Sequence, residues 1–105
     1  MLVSNEDEPG ALPEEVALNQ NYPNPFNSRT LIQFVLPEEE QVTLTIYDTR
    51  GKMVRQLFDG TGRTGLNTIH WDGKNANGQD LASGVYIYRL EAGNFVETKK
   101  MVFLK

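Results

Sequence analysis

There is no cysteine in these 105 residues, which removes disulfides, thiolate nucleophiles and thiolate zinc sites together. That absence leaves the compartment open, because exported bacterial domains also do without cysteine. Histidine is nearly as scarce. His70 stands alone, so no His-based metal cluster can form, and a Ser/His/Asp triad would have to combine it with Ser4, Ser28 or Ser83. None of these serines lies in a G-x-S-x-G turn. No apolar run approaches the roughly 18 residues that span a bilayer as a helix. The opening Met1–Glu8 has neither the basic nor the apolar region of a signal peptide. A 3.6-residue apolar stripe sustained over three turns is missing too, since Gly or Pro interrupts most windows long enough to hold one.

Charge is present but unevenly placed. The net charge is -4, yet residues 1–40 hold eight acids and one base, whereas residues 41–105 hold nine bases and six acids. Residues 1–15 carry five of the acids together with Pro9, Gly10 and Pro13, the composition of a flexible acidic linker tied to something upstream. Residues 16–105 then form one domain, long enough to bury a core by packing alone. Their basic excess is thin and the pI is about 4.9, which argues against nucleic acid as a partner.

From Val16 onward, Gly, Pro, Asn or Asp punctuates the chain every eight to twelve residues, with short apolar alternations between. That spacing predicts strands over 16–20, 30–36, 41–47, 52–58, 66–71, 84–92 and 95–104. In 30–36, Ile32, Phe34 and Leu36 share a face; in 41–47, Val42, Leu44 and Ile46 do. Asp48-Thr49-Arg50-Gly51 and Gly93-Asn94 supply hairpin turns. Seven short antiparallel strands in about 90 residues predict an all-β, immunoglobulin-like sandwich without a disulfide, with Trp71 at the centre of its core.

Three stretches could suggest chemistry. Gly60-Thr61-Gly62-Arg63-Thr64-Gly65 matches the dinucleotide pattern G-x-G-x-x-G, but a strand rather than a helix follows it, so a flexible inter-strand loop is expected. Residues 71–80 are rich in oxygen ligands, yet the register of a calcium-binding EF-hand places Gly73 and Gly84 where acids belong. Asx turns around Gly73 and Gly78 account for the same residues, and a calcium site of another type stays open. Glu38, Glu39 and Glu40 follow Pro37 in an apparent hairpin loop, with no opposed carboxylate across a cleft. No catalytic constellation emerges, and no cofactor is expected.

The stretch Leu18-Asn19-Gln20-Asn21-Tyr22-Pro23-Asn24-Pro25-Phe26-Asn27-Ser28-Arg29-Thr30 resembles the opening of the type A C-terminal sorting domains of the type IX secretion system. Those domains are similar to the immunoglobulin-like domain of the flagellar hook-cap assembly protein. Ile46–Gly51, Trp71-Asp72-Gly73, Ala82–Leu90 with Gly84, and Thr98–Lys105 continue the resemblance. It implies a structural signature in Tyr22, Pro23, Asn24, Pro25, Phe26, Asn27, Trp71, Asp72, Gly73 and Gly84. Pro23 and Pro25 prevent 22–27 from continuing a ladder, so a rigid corner is expected there, with Tyr22 and Phe26 pinning it to the core.

The resemblance further implies a monomeric tail, preceded by a cargo domain, that passes through the periplasm and ends secreted or on the cell surface. Its implied partners are the outer-membrane secretion machinery and, where the tail is removed, a sorting protease. Tyr86, Tyr88, Lys99, Lys100 and Lys105, on the last two strands, are the candidate recognition residues. A glycan-binding or adhesive accessory module and a flagellar assembly domain are the other readings, and an enzyme comes last.

Overall fold

Alternation along Thr30–Leu36 sets the pattern for the whole molecule: Thr30, Ile32, Phe34 and Leu36 are buried while the residues between them are half-exposed. A period of two puts every second side chain on one face, so such a segment is stable only as a strand with that face covered. The computed structural model describes residues 15–105; most of the acidic linker expected over 1–15 lies outside the described residues.

Seven strands follow in order: β1 (Ala17–Leu18), β2 (Thr30–Leu36), β3 (Glu40–Tyr47), β4 (Met53–Gly62), β5 (Gly65–Trp71), β6 (Gly84–Ala92) and β7 (Phe95–Phe103). They form two sheets, a three-stranded one ordered β1-β2-β5 and a four-stranded one ordered β4-β3-β6-β7. Every pairing between strands is antiparallel. Ile32, Phe34 and Leu36 of one sheet face Val42, Leu44, Ile46, Tyr88 and Leu90 of the other, all at 0% exposure. Each such side chain contributes about 1.5–3 kcal/mol by leaving water. With no disulfide or described metal cluster, this packing is what holds the sheets together.

The structure departs from the strand expectations in places that matter. The expected strand 16–20 is only two residues long, because after Asn19 donates to the Gln33 carbonyl, Gln20 and Asn21 bond to Lys100 and Tyr88 instead, and pairing with β2 resumes only as the Tyr22–Leu31 bridge. The Gly60–Gly62 stretch is not a flexible loop: it is the end of β4, paired with Val42, Gln41 and Glu40. Only Arg63 and Thr64 separate β4 from β5, so this two-residue corner carries the chain from one sheet to the other. Glycine at 62 lets the strand approach the core closely. A Cβ there would lie 2.6 Å from Leu36 Cδ1 and 3.1 Å from Val42 Cγ2.

Pro37–Glu39 likewise pass between sheets rather than closing a hairpin, and Glu40 is already in β3. The two true hairpins are β3–β4 and β6–β7. Gly51 in the first and Gly93 in the second take the positive φ that the turns demand, while Asn94 does not.

Candidate functional site

The residues that resemble a signature are scattered in sequence, yet the fold gathers them at one end of the sandwich. The Phe26 ring stacks on Phe103 at 4.8 Å and tilts against Trp71 at 5.6 Å, and Trp71 meets Tyr86 edge-on at 5.6 Å. Such offset and edge-to-face pairs add to what burial already supplies. Gly73 passes directly over this cluster: its φ is +74°, and a Cβ would meet the Phe103 ring at 2.7 Å. Next to it, Trp71 Nε1–H donates to the Lys74 carbonyl at 3.0 Å, so the buried indole keeps its hydrogen bond.

The corner 22–27 is held by backbone pairing as much as by side chains. Tyr22 exchanges both backbone hydrogen bonds with Leu31, at 3.0 and 2.8 Å. Phe26 N–H donates to the Val102 carbonyl and Leu104 N–H donates to the Phe26 carbonyl, a parallel bridge to the end of β7. Asn24 Oδ1 accepts from Val102 N–H at 2.9 Å. Both Tyr22–Pro23 and Asn24–Pro25 are cis. The corner therefore covers the free edge of β7 from Val102 to Leu104.

Phe26 pins the corner as expected, at 2% exposure, but Tyr22 does not: its side chain is 75% exposed. The anchor on that side is Asn21, 2% exposed, which sequence reasoning passed over. Its Nδ2 donates to Thr30 Oγ1 at 2.9 Å and to the Pro23 carbonyl at 3.2 Å, while its Oδ1 accepts from Gln20 Nε2 at 2.8 Å. Its backbone N–H donates to the Tyr88 hydroxyl at 2.8 Å, and that hydroxyl donates to the Asn19 carbonyl at 2.7 Å. A polar side chain can be buried here because every partner is supplied. The only available hint was an Asn placed just ahead of two prolines, with Thr30 next in β2.

The candidate recognition residues do not form one surface. Tyr86 and Tyr88 are core residues, at 7% and 0% exposure, so their rings are not offered to a partner. Burial pushes the Tyr88 phenol up to about 12 and raises Tyr86 as well. Lys99 and Lys100 are adjacent in β7 and point to opposite faces. Lys100 is on the outer face, whereas Lys99 lies on the inner face with Phe95 and Glu97, its Nζ 3.3 Å from Glu97 Oε2. Lys105 is exposed beyond β7, its N–H donating to Ser83 Oγ at 2.8 Å. What this end does expose is largely apolar: Pro23, Pro25, Phe26 and Leu104 line an open cleft of about 410 Å³ with Asn27, and Tyr22 and Leu104 are exposed.

The loop after Trp71 uses its oxygens internally. Asp72 Oδ1 accepts from Lys74 N–H and from Arg55 Nη1, and Asn75 Oδ1 accepts from the Asn77 and Gln79 amides. Lys74 Nζ is 2.7 Å from Asp80 Oδ1, and that contact lowers the Asp80 carboxyl while raising the lysine. On the β3–β4 turn, Asp48 accepts from the Lys52 and Arg50 amides, and the Lys52 bond leads in holding its carboxyl below the ordinary range. Among the described residues no three His, Asp or Glu side chains converge on one point. His70 is exposed in β5 opposite Leu31, with no hydrogen bond to a serine among the described residues.

Comparison with known proteins agrees with this architecture. Residues 24–99 match the family model of the FlgD Ig-like domain. The basal-body rod modification protein FlgD of Salmonella typhimurium is 40% identical over 55 residues, which is 52% of this chain and 24% of that protein; its counterpart in Salmonella typhi matches equally. The chain thus matches only about a quarter of those relatives. In dimeric latent PorU from Porphyromonas gingivalis the same fold recurs with a TM-score of 0.70 and 21% identity, covering 90% of this chain and 10% of that one. PorZ of the same organism gives a TM-score of 0.56 and 22% identity, covering 82% and 11%. With its seven strands in two sheets, its aromatic end and the match over residues 24–99, the chain belongs to the FlgD Ig-like domain family.

Proposed function

We propose that this domain is a sorting module which directs a larger exported protein across the outer membrane through type IX secretion. The observation that carries the reading is one of proportion: nearly all of this chain corresponds to about a tenth of PorU and of PorZ, the latter described as an essential surface component of that secretion system. A small sandwich that recurs as a minor part of two much longer chains, one of them a surface component of that system, suits an address better than an activity of its own. The module is non-catalytic, and the protein carrying it ends outside the cell. The last strand, its capping corner and Lys100 and Lys105 are the parts exposed for the machinery to read; Tyr86 and Tyr88 act by holding β6 in the core.

The test is to fuse the full chain to a reporter that reaches the periplasm of a host with type IX secretion. Reporter activity in the medium or on the cell surface is the expected result. Retention in the periplasm, with the domain folded by protease resistance, would overturn it. A second reading, an assembly scaffold like that of flagellar hook formation, is favoured by the 40% identity to the rod modification protein. It predicts that the same fusion stays in the periplasm and co-purifies with basal-body proteins.

A further inference from the structure

Strand β7 ends the four-stranded sheet, and only part of its outer edge is covered. The covered part fixes which backbone groups point outward. Val102 N–H, the Val102 and Lys100 carbonyls and Leu104 N–H all bond to Gln20, Asn24 or Phe26, away from β6. Outward groups therefore belong to even-numbered residues, and by the same alternation the amides and carbonyls of Val96 and Thr98 and the amide of Lys100 also face away from β6. Among the described residues no hydrogen bond reaches them. The open stretch runs from Val96, just after the Gly93–Asn94 turn, to Lys100, just before the Asn24 cap, and Thr98 is its middle.

We propose that this edge pairs with the same edge of a second copy, antiparallel and with the two-fold axis at Thr98, joining two four-stranded sheets into one of eight. Charge order selects that partner. Glu97 and Lys99 sit one residue either side of Thr98, both on the inner face. With the axis at Thr98, Glu97 of one copy stands directly opposite Lys99 of the other, twice, at the close side-chain spacing of a non-hydrogen-bonded pair. On the outer face Val96 meets the aliphatic stem of Lys100. Inward-pointing charges usually blunt an edge against stray strands. Here the acid and the base are placed symmetrically about the centre of the open stretch. They therefore exclude most strands and accept one carrying the opposite order, which an antiparallel copy of itself does. The contact is isologous, so it closes at two copies and does not propagate.

The experiment is sedimentation of the full chain over a wide concentration range, with three variants. The parent is expected to show a reversible monomer–dimer equilibrium. Glu97→Lys and Lys99→Glu each place like charges opposite one another and should weaken self-association by about ten-fold or more. Mixed one to one, these two variants present complementary faces and should form the heterodimer at near-parent affinity. In Thr98→Pro the lost amide faces away from β6, so the β6–β7 ladder survives while the new edge cannot pair. This variant should remain monomeric with an unchanged tryptophan spectrum. A parent that stays monomeric to millimolar concentration, which would leave the edge to another protein's strand, overturns the proposal. So does a dimer indifferent to the charge variants, or a mixture that fails to recover association. Secretion of the reporter does not depend on this result, so the two readings fail separately.

Discussion

The Tyr88 hydroxyl accepts from the Asn21 backbone N–H at 2.8 Å and donates to the Asn19 carbonyl at 2.7 Å, so one phenol of β6 fastens the segment between β1 and the proline corner across the sandwich. Replacing Tyr88 with Phe keeps the ring but leaves the buried Asn21 amide without its acceptor, while the Asn19 carbonyl, on an exposed residue, can turn to water. The expected loss is roughly 2 kcal/mol, within the usual penalty for unsatisfied buried groups. Urea unfolding of Y88F against the parent measures it, and a change below about 0.5 kcal/mol would contradict this role.

The same phenol makes stability sensitive to alkaline pH. Its value is about 12 in the fold against an ordinary value near 10, so the folded state holds the proton that the unfolded chain releases. A raised value stabilises fully below the unfolded pKa, and that contribution is lost as pH rises between about 10 and 12. Thermal melts across that window should show the parent losing more stability than Y88F. Phenolate absorbance should show one of the four tyrosines ionising only as pH approaches about 12.

Gly73 and Gly78 both have positive φ, +74° and +81°, but only Gly73 is crowded, with the Phe103 ring at 2.7–3.1 Å from a built Cβ. Gly78→Ala should cost about 1 kcal/mol from backbone strain alone. Gly73→Ala adds displacement of a ring already stacked on Phe26, and about 3 kcal/mol is expected. Comparing the two unfolding midpoints separates strain from crowding.

Asn24 caps the Val102 amide from the side of β7 that has no neighbouring strand. Asn24→Ala should cost about 1 kcal/mol. Amide exchange should speed up locally at Val102, while the β6-facing amides of Met101 and Phe103 stay protected. Uniform acceleration along β7 would mean that the cap supports the whole strand instead.

Much of the fold could be read from local pattern. β2 and β6 have the bounds that alternation predicts, because their inward side chains are mostly apolar and Pro37 and Gly93 directly follow them. The hairpin at Asp48–Gly51 was equally legible, since a positive φ at Gly51 is a local demand. Glycines at 60 and 62 read as a loop because glycine weakens strand propensity. Pairing with β3 and the closeness of Leu36 override that preference, and neither is visible within the segment. Tyr86, Tyr88, Lys99 and Lys100 do not share one surface for a related reason. Parity in β7 separates Lys99 from Lys100, and the partly covered inner face decides which lysine is the freer.

From sequence alone, then, the absence of cysteine and the period-two apolar faces determined an all-β sandwich held by packing, and the Asn-Pro corner marked a special segment. Only the tertiary structure decided which sheet each strand joins, that Asn21 rather than Tyr22 is the buried anchor, and that the corner covers one end of the β7 edge while leaving the other open. The physical reason is range. Alternation and turn chemistry act between near neighbours, whereas sheet partition, edge coverage and the satisfaction of a buried amide depend on groups up to about 80 residues apart, such as Asn24 and Val102.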